Sequence, residues 1–314
     1  MTHLLLGTAV SLATFALVYT GLSVAVCCGW RLVASACRCR SASFTAGALF
    51  ALRILPVFVA AAITLGITVP SFLLLEPHSA EEPLGAAPFA LAAFCVALLT
   101  LGVARALRSQ RNTSRAMSVW MHDAVPLRSA ENVTIHQARE NAPALIVAGV
   151  RAPKVIASTT ALAALSADEL RSAIRHEVAH VRRHDNFKKL LFRLCVFFGM
   201  AKLEATWAQA AELAADDEAV ENERDALDLA AALIKVSRLP GDRTAELAIG
   251  LLEPASQSLS TRVQRLVAWN PAQPAQDSAS HYILPPLILA LLGVLLSYST
   301  VLNQMHAFTE WLVR

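Results

Sequence analysis

Charge is in short supply in this 314-residue sequence: 16% of its residues are charged and 55% are hydrophobic. Soluble globular chains carry about a quarter charged residues, so this balance excludes an ordinary soluble enzyme and fits a membrane protein with a soluble insert. The net charge of +3 is small, and it gathers at the flanks of apolar runs, which argues against direct nucleic-acid binding. A disulfide framework is also missing. Of six cysteines, Cys95 and Cys195 lie within apolar runs, while Cys27, Cys28, Cys37 and Cys39 crowd around the end of the first run. Those four are a weak candidate for a second metal site, because Cys-Cys beside Cys-x-Cys lacks the usual zinc spacing. Internal repeats are absent.

What is present begins with four long apolar runs. Residues 4–28 carry no charge over 25 positions, enough to cross a bilayer. A signal peptide is the competing reading, but the run lacks a basic start and a good cleavage site. Residues 54–75 and 84–101 predict the second and third spans, joined by a short acidic turn at 76–83. Residues 283–302 predict the fourth, with Pro285 and Pro286 near its start, where proline is best tolerated. Arginines at 31, 38 and 40, and again at 105, 108, 111 and 115, place both of those segments on the cytoplasmic side. The expected plan is three transmembrane helices in 1–108, a cytosolic domain in 109–280, and a fourth span with a short outer tail in 281–314. Both termini then face outward from a multi-pass cell (inner) membrane. The apolar run 190–201 is too short to span and holds Arg193 between flanking lysines. It reads as a buried helix or one resting against the bilayer.

The chemistry-bearing stretch is Arg175-His176-Glu177-Val178-Ala179-His180. On a helix, imidazoles four residues apart share one face, close enough to grip a single metal ion, with Glu177 about 100° further round. In this H-E-x-x-H pattern two neutral histidines ligate Zn²⁺ and the glutamate takes a proton from water. Ser166-Ala167-Asp168-Glu169 has capping-box form, so the helix should begin near Ala167. Leu170, Ile174, Val178 and Val181 give it an apolar stripe. Downstream, Glu212-Leu213-Ala214-Ala215-Asp216 sets two carboxylates one turn apart. Glu212 is the candidate third ligand, and Asp216 the partner for the free ring N–H of a ligating histidine. His184, Glu218 and Glu221 are alternative ligands. Three histidines on one straight helix close poorly around a tetrahedral ion, which disfavours His184. The competing bland reading is a helix with solvated charges and no metal.

Residues 133–137, 144–150 and 154–157 are rich in β-branched residues and predict a small sheet. Its edge at Ala144, Leu145, Ile146, Val147, Ala148 and Gly149 is the candidate substrate-binding strand, pairing with an extended peptide through the main chain. A plain core strand is an equal alternative. Residues 225–239 and 258–269 predict further helices. The fold class expected is a mainly α membrane protein with an inserted α+β zincin-like domain.

Residues 152–156, 165–170 and His176-Glu177-Val178-Ala179-His180-Val181-Arg182-Arg183-His184-Asp185-Asn186 resemble the BlaR/MecR-type antirepressor membrane metallopeptidases. Glu212-Leu213-Ala214-Ala215-Asp216 is similar to their second signature, although Ala215 stands where a cysteine is often found. The resemblance implies a gluzincin with one zinc on His176, His180 and Glu212 and with Glu177 as general base. It implies a protein substrate, in that family a transcriptional repressor, and signalling across the membrane. Family members sense β-lactams with an outer penicillin-binding domain; here only residues 303–314 follow the fourth span, so direct β-lactam sensing is not expected. HtpX-like and CAAX-prenyl membrane proteases share the chemistry, making quality control or peptide processing the rival role. From another class, the alternative is a non-catalytic zinc-binding membrane scaffold. For the oxyanion-stabilising donor, His122, His136, Arg182 and Arg183 are candidates.

Overall fold

The computed structural model describes residues 2–75, 86–130, 133–140, 142–150, 153–239, 255–270 and 298–313. The chain is mostly helical with one small mixed sheet. Helix α1 (Thr2–Ala36) is followed by α2 (Ala42–Ile63), which continues through a π-helical turn (Thr64–Thr68) into α3 (Val69–Leu75); α4 (Ala86–Met121) comes next. Among the described residues, three helical stretches are long and apolar enough to cross a membrane: Leu4–Ala36, Ala42–Leu75 and Ala86–Met121. Each is longer than the apolar run that predicted it, because the helix continues into its polar flank. Ser41 starts α2 by accepting the Phe44 N–H at 3.1 Å. Phe58, Leu65, Leu74 and other large apolar side chains of these stretches are exposed, as a bilayer-facing surface requires. The acidic turn expected at 76–83 lies outside the described residues, as does most of the fourth run. The described part of that run, from residue 298, opens helix α11 (Tyr298–Val313), so residues expected to form an outer tail are helical. Ser71 Oγ donates to Leu302 O at 3.0 Å and ties α11 to α3.

The sheet holds β1 (Val125–Ala130), β2 (Val133–Ala138), β3 (Leu145–Ala148) and β4 (Lys154–Ser158) in the order β1-β2-β4-β3, with β2 parallel to β4 and the other pairs antiparallel. Three of these strands match the sequence expectation; β1 does not, since its Pro126 and a register shift before Arg128 disguise it. Helix α5 (Thr159–Ala164) leads to α6 (Ala167–Arg182). The capping box of α6 is complete: Ser166 Oγ accepts the Glu169 N–H and Glu169 Oε2 accepts the Ser166 N–H. One face of the sheet (Ile135, Val147, Val155) packs on Val178, Ile174 and Val181 of α6. The other face (Ile156, Ile146, Ala138) packs on Trp120 and Met117 at the far end of α4. The sheet is therefore clamped between the motif helix and the extension of the third membrane helix.

Helices α7 (Asp185–Leu194), α8 (Ala201–Ala219), α9 (Glu223–Arg238) and α10 (Ala255–Val267) complete the described domain. The run 190–201 is not one helix. It forms the end of α7 and a turn into α8, and the turn lies against the membrane helices, where Tyr19 of α1 donates to Val196 O at 2.9 Å. Arg53 of α2, 2% exposed, donates from Nε to Glu204 Oε1 at 2.8 Å and from Nη2 to Cys195 O and Phe192 O. Irregular backbone is tolerated among membrane helices where its carbonyls are satisfied in this way. Close packing also constrains α4: a Cβ at Gly102 would run into the carbonyl of Leu194. Helix α8 buries Trp207, Ala210 and Ala211 against Ala46, Leu49 and Ile54 of α2. That contact fixes the height of its next turn beside the membrane helices.

Candidate metal centre

Helix α6 turns His176 and His180 to one side, with their rings edge to face and centroids 4.8 Å apart. Glu212 reaches them from α8 and divides its carboxylate between them. Oε2 stands 3.5 Å from His176 Nε2, and Oε1 stands 3.4 Å from His180 Nε2. Donor atoms on one tetrahedral zinc, each bonded at about 2.1 Å, lie roughly 3.4 Å apart, so these spacings suit a shared ion. Among the described residues, these three form the group able to hold a metal, with ligand atoms all within 4.8 Å of one another. The cysteines near the end of α1 do not form such a group among the described residues, and all six are free thiols.

The far side of each imidazole is backed by a carboxylate. His180 Nδ1 is 2.8 Å from Asp185 Oδ2, a hydrogen bond. His176 Nδ1 is 3.0 Å from Asp216 Oδ1, a contact of charge rather than an aligned hydrogen bond. A proton held on Nδ1 leaves the Nε2 lone pair for a metal, the arrangement that fixes tautomer and ring orientation in histidine metal sites. Asp185 and Asp216 are each 1% exposed. Burial alone would raise the Asp185 carboxyl, but His180 and Lys188 outweigh it and hold it below its usual value. Asp216 is depressed likewise, by Arg262 and His176. Burial would lower His180, yet Asp185, Glu212 and Glu177 push it up to about 10. The same opposition raises His176, with Asp216 and Glu212 prevailing. Glu212, which burial would raise, is held well below its usual value by the two imidazoles and Arg262. The site thus concentrates negative potential on two imidazoles, a setting that favours a bound cation.

Glu177 projects from α6 beside this group. Its Oε2 accepts the Val147 N–H at 2.9 Å, which ties it to β3 and leaves Oε1 outside that bond. The β3 edge is partly closed by the same device. Ser158 N donates to Ala144 O, so the alternate residues Leu145 and Val147 turn their main-chain groups away from β4. Val147 N–H goes to Glu177, and Asn186 Nδ2 donates to Val147 O and Gly149 O, each at 3.2 Å. Of the strand Ala144 to Gly149, the rung at Leu145 stays open to pairing with another chain.

The alternative ligands are placed elsewhere. His184 is exposed, adopts φ 55° and precedes α7. Glu218 meets Arg182 at 3.5 Å, and Glu221 meets Arg175 at 3.8 Å. The oxyanion candidates fare no better. His122 is 81% exposed beside Asp123, and Arg183 donates to Ser43 Oγ at 2.8 Å. His136 alternates with Ile135 on β2 and so lies on the sheet face turned from α6. Arg262 of α10, which the sequence reading passed over, is the cation that lies against this group instead. Its Nη1 is 2.9 Å from Glu212 Oε2, and its Nη2 is 3.3 Å from His176 Nε2. Asp185 and Asn186 were also passed over as working residues, although Asp185 sits little more than one turn past His180.

Comparison with known proteins gives one family. The model described as BlaR1 peptidase M56 matches residues 86–266, more than half of the chain, and covers α4 through most of α10. Neither the curated proteins nor the solved structures contain a match.

Proposed function

This chain belongs to the BlaR1 peptidase M56 family and is a membrane-associated metallopeptidase, and we propose that it is a zinc-dependent endopeptidase whose cytosolic active site cuts a protein substrate in regulatory proteolysis. The observation that carries this reading is the division of the Glu212 carboxylate between two imidazoles whose outer nitrogens face Asp185 and Asp216. His176, His180 and Glu212 would hold one zinc ion. Zinc there would lower the pKa of a bound water to about 7 and polarise the scissile carbonyl.

The chain's own groups supply the rest. Glu177 Oε1 accepts a proton from the attacking water and passes it to the leaving amine, while the Val147 N–H holds Oε2 in place. Water's oxygen joins the acyl carbon, the C–N bond breaks, and the transferred proton completes the amine. The extended substrate lies along the Ala144 to Gly149 edge and pairs with the main chain at Leu145. Because α8 packs on α2, the substrate is cut close to the membrane surface, which suits a regulator such as a membrane-proximal transcriptional repressor. Quality-control proteolysis of many membrane proteins is the second reading, and the exposed apolar side chains of Phe187, Leu194 and Phe198 in α7 and the turn after it offer it an apolar surface.

Labelled-terminus proteomics on cells carrying wild type or Glu177→Gln tests both. One or two cleavage products lost in the variant supports regulation, and many supports quality control. Identical terminomes, with zinc retained in both proteins, would leave a non-catalytic scaffold.

A further inference from the structure

The two motif helices supply the candidate ligands and the base, but the cation that touches them comes from a third helix, α10. Arg262 is anchored by a fork: Nε donates to Asp216 Oδ2 at 2.8 Å and Nη2 to Asp216 Oδ1 at 2.7 Å. A bidentate pair of this kind fixes the plane of the guanidinium as well as its position. The Arg262 side chain is 12% exposed and that of Asp216 is 2% exposed, so little water competes for the pair.

The remaining contacts differ in kind. Nη1 reaches Glu212 Oε2 and Nη2 faces His176 Nε2, and both acceptor atoms belong to the candidate ligand set. His176 and Glu212 would give both lone pairs to a metal held in that set, and the N–H groups aimed at them would then be free for another acceptor, still held from behind by Asp216. Glu177 borders the same space, since its charge acts on both Arg262 and His180. A peptide entering between them meets the base on one side and a fixed positive charge on the other.

We propose that Arg262 is a catalytic residue that donates N–H bonds to the scissile carbonyl oxygen as it becomes negative, and that Asp216 is the positioning residue that aims it. The assignment rests on the hydrolytic reading above. As water's oxygen joins the carbonyl carbon, the carbonyl π pair moves onto oxygen, where the guanidinium meets it. When that pair returns, the C–N bond breaks and the nitrogen takes the proton Glu177 removed from water. Donors aimed at an oxygen that gains charge only in the transition state raise kcat more than they tighten substrate binding. Asp216 therefore has two tasks, one toward the His176 ring and one toward Arg262.

The test uses full-length zinc-loaded protein in detergent and a quenched fluorescent peptide built on a cleavage site found for wild type. Arg262→Ala should lower kcat by about 10²–10³-fold with KM changed less than about threefold. Millimolar guanidinium chloride should restore part of that loss saturably, and Arg262→Lys should fall between. Zinc affinity, read by chelator competition, should stay the same or rise in Arg262→Ala, because a neighbouring positive charge is removed. A phosphonamidate peptide that mimics the tetrahedral state should lose affinity in step with kcat. Unchanged kcat, or a fall in zinc affinity with no guanidinium rescue, overturns the proposal and leaves Arg262 a structural tie. If wild type and Glu177→Gln cut the peptide equally, the hydrolytic reading itself fails, whatever Arg262 does.

Discussion

Two arginines, Arg53 buried and Arg262 half-buried, grip helix α8, one near each end, and they face different surroundings. Arg53, within an apolar membrane helix, has one carboxylate (Glu204) and two main-chain carbonyls, and its guanidinium also lies over the Phe192 ring at 5.5 Å. Its hydrogen-bonding capacity goes to the fold. Arg262, at the other end, is shared among Asp216, Glu212 and His176, the last two being candidate metal ligands. The first arrangement fixes where α8 enters the membrane-facing bundle. The second sets a cation against two groups that could hold a metal. The difference teaches that burial of an arginine does not by itself mark function; the identity of its acceptors does.

The largest expected effect lies at the membrane end. Arg53→Met strands the Glu204 carboxylate and the end of α7, which should cost about 3–5 kcal/mol of stability. Arg53→Met/Glu204→Leu should recover much of it, read by thermal unfolding in detergent. A single variant as stable as wild type would erase the contrast between the two arginines. Next, Asp185→Asn removes the negative charge that backs the His180 ring and holds its tautomer, and should weaken zinc binding about 10–100-fold with little change in unfolding temperature. Chelator competition checks it, and equal affinity would mean that the carboxylate behind His180 is idle. Smaller again, Ser166→Ala breaks the α6 capping box and should cost about 1 kcal/mol, with zinc affinity unmoved. Melting and zinc titration on the same sample separate the two.

The smallest effect concerns acid. Burial would raise the Glu169 carboxyl, but the Lys235 ammonium at 2.7 Å and the Ser166 N–H hold it below its usual value. A depressed carboxyl stabilises the fold above its unfolded value of about 4.3 and loses that contribution as pH falls through its lower folded value. Lys235→Met should flatten the acid limb of stability between those two points. An unchanged limb would show that the pair contributes nothing to acid resistance.

Much of the site was legible because its signals are local. The capping box at 166–169, the four-residue histidine spacing and the one-turn Glu212/Asp216 spacing each follow from helix geometry, and the structure builds these helices around one point. The three described membrane helices were legible from length and hydropathy alone. What escaped depends on contacts distant in sequence. Arg262 lies on a helix without a motif, 86 residues from the imidazole it touches. The apolar run 190–201 reads as a buried helix until Tyr19 and Arg53 are known to donate to its carbonyls, which lets the backbone turn there instead. The strand at Val125–Ala130 was hidden because its proline and register shift suit an edge, where β propensity is a poor guide. Asn186 was passed over because its work, holding the free side of β3, appears only when strand and helix are side by side.

The sharing of one ion by two helices is tested most directly by the zinc content of full-length protein purified in detergent, wild type beside Glu212→Ala. About one zinc per chain is expected in wild type, falling well below that in the variant while the helical content holds. A Glu212→Ala protein that keeps its full complement of zinc would contradict it.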